Sequence, residues 1–248
     1  MSNPAAAVIT YDDNVTPDVI FGSGNANGGF TTDRANDIEL GLRGKLRHNA
    51  AGAPENTFNS NGDGTYSFNA GVAPTQSFPT AEWSFEWSIN SDTTAAPGQG
   101  RSLGDLTYQL SLDIDPGAGT NFVFFDPIND VNPGVGLVLW DHAMGDNTTA
   151  NGGGVSAASE AEYAQFLDEK NVAQNSWKPH WYFPVFDPTV DGVYDIMLTA
   201  SSAAAGELAR TRIQIIVGAG AVPTPGTLAL FGAGLLGLAW NRRRRAKA

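Results

Sequence analysis

The chain has 248 residues, of which 16% are charged, with 29 glycines, 14 prolines and no cysteine. So few charges and so many chain-breaking residues disfavour a helical bundle and favour strands joined by turns, while the missing cysteines exclude a disulfide framework, thiol chemistry and zinc-thiolate sites. The formal charge is −12, yet residues 1–240 hold nine Lys and Arg against 26 Asp and Glu, or −17, which excludes binding to nucleic acid or anionic membrane through the net field and makes cations, Ca²⁺ above all, the natural small partners.

In chain order, Pro4-Ala5-Ala6-Ala7 has the small side chains expected at the end of a signal peptide, so residues 1–7 read as the remnant of an export signal that continues upstream of Met1. Ala6 to Tyr11 and Val19 to Phe21 read as short strands. Gly22 to Gly29 is a loop by its glycine and asparagine content, and no helix pattern follows it to make a phosphate cradle. Ile38, Leu40 and Leu42 alternate with Glu39, Gly41 and Arg43 as in a half-buried strand. Asn59, Asn61 and Asp63 place oxygens at alternate positions ahead of the strand Thr65 to Val72, imitating the first half of a calcium loop. Ala70 stands where the bidentate glutamate would be, so a plain turn is the preferred reading and Ca²⁺ the alternative. Asp126, Asn129 and Asp130 form a second oxygen-rich loop that is read in the same two ways.

The clearest strand is Ala81 to Asn90. Trp83, Phe85, Trp87 and Ile89 face a core, and Glu82, Ser84, Glu86 and Ser88 face away. Leu106 to Asp115 repeats the alternation, and the more continuously apolar Asn121 to Phe125 and Gly134 to Trp140 read as central strands covered on both faces. Ser159 and Glu162 make a capping box for a short helix whose narrow stripe is Tyr163, Phe166, Leu167 and Lys170, ending near Asn171. After it, Trp177-Lys178-Pro179-His180-Trp181-Tyr182-Phe183 is the densest aromatic cluster. Burial is the preferred reading of these rings, and Trp177, His180, Trp181 and Tyr182 are the candidate sugar-stacking residues if they lie in a loop. Asp191 to Ser201 and Glu207 to Val217 form a strand pair, and Asp191-Gly192-Val193-Tyr194 resembles the tyrosine corner of immunoglobulin-like domains.

The last segment has three physical parts. Pro223 and Pro225 forbid helix before them and suit the first turn of one after. Gly226 to Trp240 is a run without charge, and at 1.5 Å per residue it covers roughly 22 Å against a hydrocarbon core of roughly 30 Å, enough to span with snorkelling ends. Arg242, Arg243, Arg244 and Arg245 resist translocation and hold that end in the cytoplasm, leaving the body outside. Val222-Pro223-Thr224-Pro225, the apolar run and the arginine block together resemble the PEP-CTERM sorting signal of Gram-negative bacteria, with Thr224 where the family usually has Glu. The resemblance covers about a tenth of the chain. It implies recognition by the membrane enzyme exosortase, cleavage near the proline motif, an inner-membrane precursor, delivery to the surface or beyond, and association with exopolysaccharide or biofilm matrix.

Catalytic chemistry has no signature here. His48, His142 and His180 lack a nucleophile elbow or zinc spacing, and Glu82 and Glu86 on one straight strand stand roughly 13 Å apart, too far for glycosidase geometry. The expected architecture is all-β: an antiparallel β-sandwich, jelly-roll or immunoglobulin-like, over residues 8–217 with one short helix, a linker over 218–225, and a transmembrane helix with its basic end over 226–248. The expected function is a non-enzymatic surface or extracellular matrix protein, able to self-assemble or bind exopolysaccharide, with a carbohydrate-binding module and a glycan-active hydrolase as alternatives.

Overall fold

The computed structural model describes residues 8–129, 141–183 and 185–219. The expected strand Gly134 to Trp140, Asp130, the signal remnant and the whole sorting tail with its membrane helix lie outside the described residues. No helix among the described residues is long and apolar enough to cross a membrane.

Eleven strands and one helix are described: β1 Ile9–Asp13, β2 Phe30–Ala35, β3 Ile38–Leu46, β4 Thr65–Phe68, β5 Trp83–Asn90, β6 Thr107–Asp113, β7 Phe122–Phe125, β8 Ala143–Gly145, α1 Glu160–Glu169, β9 Val172–Trp177, β10 Gly192–Ser202 and β11 Gly206–Val217. They form a six-stranded sheet in the order β1-β2-β3-β5-β9-β8 and a five-stranded sheet in the order β4-β11-β10-β6-β7. The inner faces of both sheets feed one continuous core, with Leu40, Leu42, Trp83, Phe85, Trp87 and Trp177 from the first and Leu110, Leu112, Ile196, Leu198, Ile213 and Ile215 from the second. An entirely antiparallel arrangement was expected, and one pairing corrects it: β4 runs parallel to β11, Thr65 beside Gln214 and Phe68 beside Val217.

Local chemistry explains the hairpins. Asn36 and Asp37 join β2 to β3 with φ of 55° and 62°, the left-handed pair that a two-residue hairpin turn requires and that Asn and Asp tolerate best. The β10–β11 pair expected from alternation forms in register from Gly192↔Val217 to Ser202↔Gly206, with one irregularity at Ala200/Ser201. Thr211, Ile213, Ile215 and Val217 share the buried face.

Four strand expectations need correction. β3 and β5 are buried on both faces, including Glu39, Arg43, Lys45, Ser84, Glu86 and Ser88. The cause is residues 14–29, which lie across the outer face of the six-stranded sheet and are held there by its polar side chains. Glu39 Oε1 accepts from Thr16 N at 2.6 Å, Arg43 Nη1 donates to the Ala26 and Gly28 carbonyls at 3.0 and 2.5 Å, and Gln174 accepts from Ile20 N while donating to the Asp18 carbonyl, both at 2.8 Å. Residues 19–21 belong to this strap and are not a strand. Among the described residues β7 is the edge strand of its sheet, and it is not covered on both faces, since Phe124 is 66% exposed.

The helix is capped as expected, Ser159 Oγ accepting from Glu162 N at 3.2 Å. Glu162 Oε2 reaches the N–H of Ala158 at 2.7 Å, one residue before the cap. Tyr163 is the helix's buried anchor, its hydroxyl donating to the Ile128 carbonyl at 2.7 Å.

Candidate functional site

β3 and β9 both pair antiparallel with β5 (Leu46↔Trp83 and Phe85↔Trp177), so they run parallel to each other and end on the same side of the sheet. With neighbouring strands about 4.8 Å apart, their ends lie about 10 Å apart across β5. Arg47 and His48 follow β3. Lys178 follows β9 and leads into a short 3-10 turn, Pro179–Trp181. Sequences 130 residues apart thus supply one surface.

The four aromatic candidates separate here. Trp177 is fully buried, packed 4.4 Å from Tyr182, 5.2 Å from Trp87 and 5.9 Å from Phe125 between ring centroids. It is a core residue, because strand alternation turns it inward with Phe85, and a sugar cannot reach it. Tyr182 is half-buried and stacked on Phe125 at 5.5 Å. Burial pushes its hydroxyl far above the ordinary tyrosine range. Trp181 is 53% exposed, with the Lys178 ammonium 5.6 Å from its ring centroid and the His180 ring at 6.0 Å. Burial, then the charge of Lys178, holds both His48 and His180 below the usual histidine value. Burial also lowers Lys178, with Arg47 adding to the effect. Arg47, His48 and Lys178 carried no recognisable motif. Lys178 sits inside the aromatic cluster, but only the strand order places it by Arg47.

The described side chains of the oxygen-rich loops make internal hydrogen bonds. Asn61 N donates to the Thr65 carbonyl and Ser67 N to the Asn59 carbonyl, closing a turn. The Asp63 carboxylate accepts from the Thr65 N–H and hydroxyl at 3.0 and 2.7 Å. Asp126 accepts from Tyr108 N, Ile128 N, Asn129 N and Asn129 Nδ2. Among the described residues no group of three or more His, Asp or Glu side chains comes together as a metal site.

Other clusters are committed to internal pairs. Glu86, fully buried, takes Arg43 at 2.5 Å and Lys45 at 3.5 Å, and the Arg43 guanidinium lies between the rings of Phe30 and Phe58 at 4.1 and 4.0 Å. Glu82 accepts from Asn69. A cleft of about 700 Å³ lies where β1 approaches β11. Its arginines are neutralised in place, Arg212 by Asp195 at 2.7 Å and Arg210 by Glu207.

No curated protein and no solved structure matches the chain. Residues 221–245 match the family model of the PEP-CTERM protein-sorting motif, covering the proline motif, the apolar run and the arginine block. The chain therefore carries a PEP-CTERM sorting signal at its C-terminal end, which marks it as an exported protein sorted by exosortase from a membrane-anchored precursor.

Proposed function

We propose that this is a non-enzymatic surface or extracellular matrix protein whose β-rich body associates with exopolysaccharide after exosortase has processed its tail. The observation that carries this reading is the sorting motif at 221–245 behind an acidic two-sheet body. In support, the buried carboxylates form structural ion pairs, and His142 is fully buried, away from any substrate. A two-sheet arrangement of this size fits a sandwich of the jelly-roll or immunoglobulin-like kind. The second reading, a carbohydrate-binding module, is favoured by one observation: Trp181 presents an open ring beside a lysine.

The test follows the protein in its native host. Fractionation and intact-mass analysis should find it at the surface or in the matrix, trimmed near Val222 to Pro225 and extracted together with polysaccharide. A cytosolic, untrimmed chain would overturn the proposal.

A further inference from the structure

We propose that the end of the six-stranded sheet bounded by Arg47, His48, Lys178, His180 and Trp181 binds an acidic saccharide, one sugar face resting on Trp181 and a carboxylate lying between Arg47 and Lys178. This inference rests on the glycan-associated reading above and names the ligand class and the residues.

The first support is charge. Of the nine cations in residues 1–240, Arg34, Arg43, Lys45, Arg210 and Arg212 form ion pairs with carboxylates, and Arg101 and Lys170 act on Asp92 and Asp146. Arg47 and Lys178 have no ion pair among the described residues, and they lie close enough for Arg47 to destabilise the Lys178 ammonium. In a body of −17 that leaves, at strand ends on the same side of one sheet, two cations without an ion pair among the described residues. The nearby carboxylates Glu55 and Glu82 accept from neutral amide groups of Asn49 and Asn69, both at 2.7 Å, and neither forms an ion pair with Arg47 or Lys178 among the described residues. An anion seated here would relieve the repulsion.

A second, independent observation is a pair of idle ring nitrogens. His48 Nε2 and His180 Nδ1 are buried and have no hydrogen-bond partner among the described residues, and His48 as a whole is only 7% exposed. Buried polar atoms of this kind are costly unless something supplies a partner. His48 Nδ1 is turned to the Gly52 carbonyl at 3.1 Å, while the charges of Lys178 and His48 both act on His180. The two rings therefore belong to the same patch as the cations.

The third is the exposed indole of Trp181. An apolar ring next to a cation matches a sugar, which offers a C–H face and polar edges together. A densely charged polymer such as nucleic acid fits poorly, since most of its phosphates would face the acidic body within a Debye length of about 8 Å. A saccharide chain with separated carboxylates presents one charge to Arg47 and Lys178 and keeps the next away.

The experiment uses the full chain in neutral detergent and two probes with one backbone, polygalacturonate and its fully methyl-esterified form. The expected result is retention on polygalacturonate that weakens with salt and at least tenfold weaker binding to the ester. Lys178→Glu and Arg47→Glu should each lose at least tenfold on the acidic polymer, with Lys178→Arg retaining it, while Trp181→Ala should lose binding with unchanged salt dependence. Melting temperatures near wild type show that these surface variants fold. Equal retention on both polymers would overturn the acidic ligand and leave the glycan reading standing. Binding to neither would overturn both, and acidic-polymer binding that persists in the charge-reversed variants would overturn the site.

Discussion

His142 lies fully buried beside Trp87, Tyr163 and Trp177, with ring centroids 5.0, 6.0 and 6.1 Å away. Burial pulls its pKa down to about 4, against an opposing pull from Asp141. Because the unfolded chain takes up the proton near pH 6.5 and the folded chain does not, the stabilisation is complete above that pH. It is lost as the pH falls from 6.5 towards 4, about 3 kcal/mol in all. Urea unfolding at pH 7 and pH 4 should therefore show His142→Phe losing about 3 kcal/mol less than the parent over that interval. Equal losses would mean that His142 is solvated in the folded state. Glu86 makes a different case, a fully buried carboxylate paired with Arg43 and Lys45. Glu86→Ala strands Arg43 and Lys45 in a buried layer and should cost about 3–5 kcal/mol by denaturant titration. A cost below about 1 kcal/mol would place the pair in solvent. The sequence showed Glu86 on the face away from the core but not what covers that face.

Elements whose signals are local were legible. The hairpin of β10 and β11, the alternation of β5 and β6, and the capped helix all follow from patterns within one strand or helix or between consecutive strands. Ser159→Ala should cost about 1 kcal/mol in thermal or urea unfolding, the usual price of losing a capping acceptor, and no change would mean that the Glu162 contact to Ala158 holds the end alone. Elements defined by partners were missed or misread. β9 gives no alternation in its own sequence, VAQNSW, and is a strand because β5 and β8 pair with it on either side. The strap of residues 14–29 depends on Gln174, more than 150 positions away. Gln174→Ala should raise amide exchange at Ile20, which donates to it, while leaving the β10–β11 hairpin protected. Uniform exchange across both would show that the strap is part of the global unfolding unit.

At the scale of the whole molecule, destination and body are separable. Deleting residues 221–245 should abolish surface delivery in the native host and leave the unfolding midpoint of the secreted body within error of the parent, because the core shared by the two sheets is assembled from residues between Ala35 and Val217. A large drop in midpoint would mean that the tail packs on the sheets. The sequence by itself determined the address, since proline, an uncharged run and an arginine block act in chain order and need no fold to be read. It also determined the β class, the acidity of the body and the main hairpin. Only the tertiary structure decided which polar faces are buried, that Trp177 is core while Trp181 is open, and that Arg47 meets Lys178. Those outcomes depend on strand order and on a strap laid across a sheet, and contacts over more than a hundred residues leave no periodic trace in the sequence that makes them.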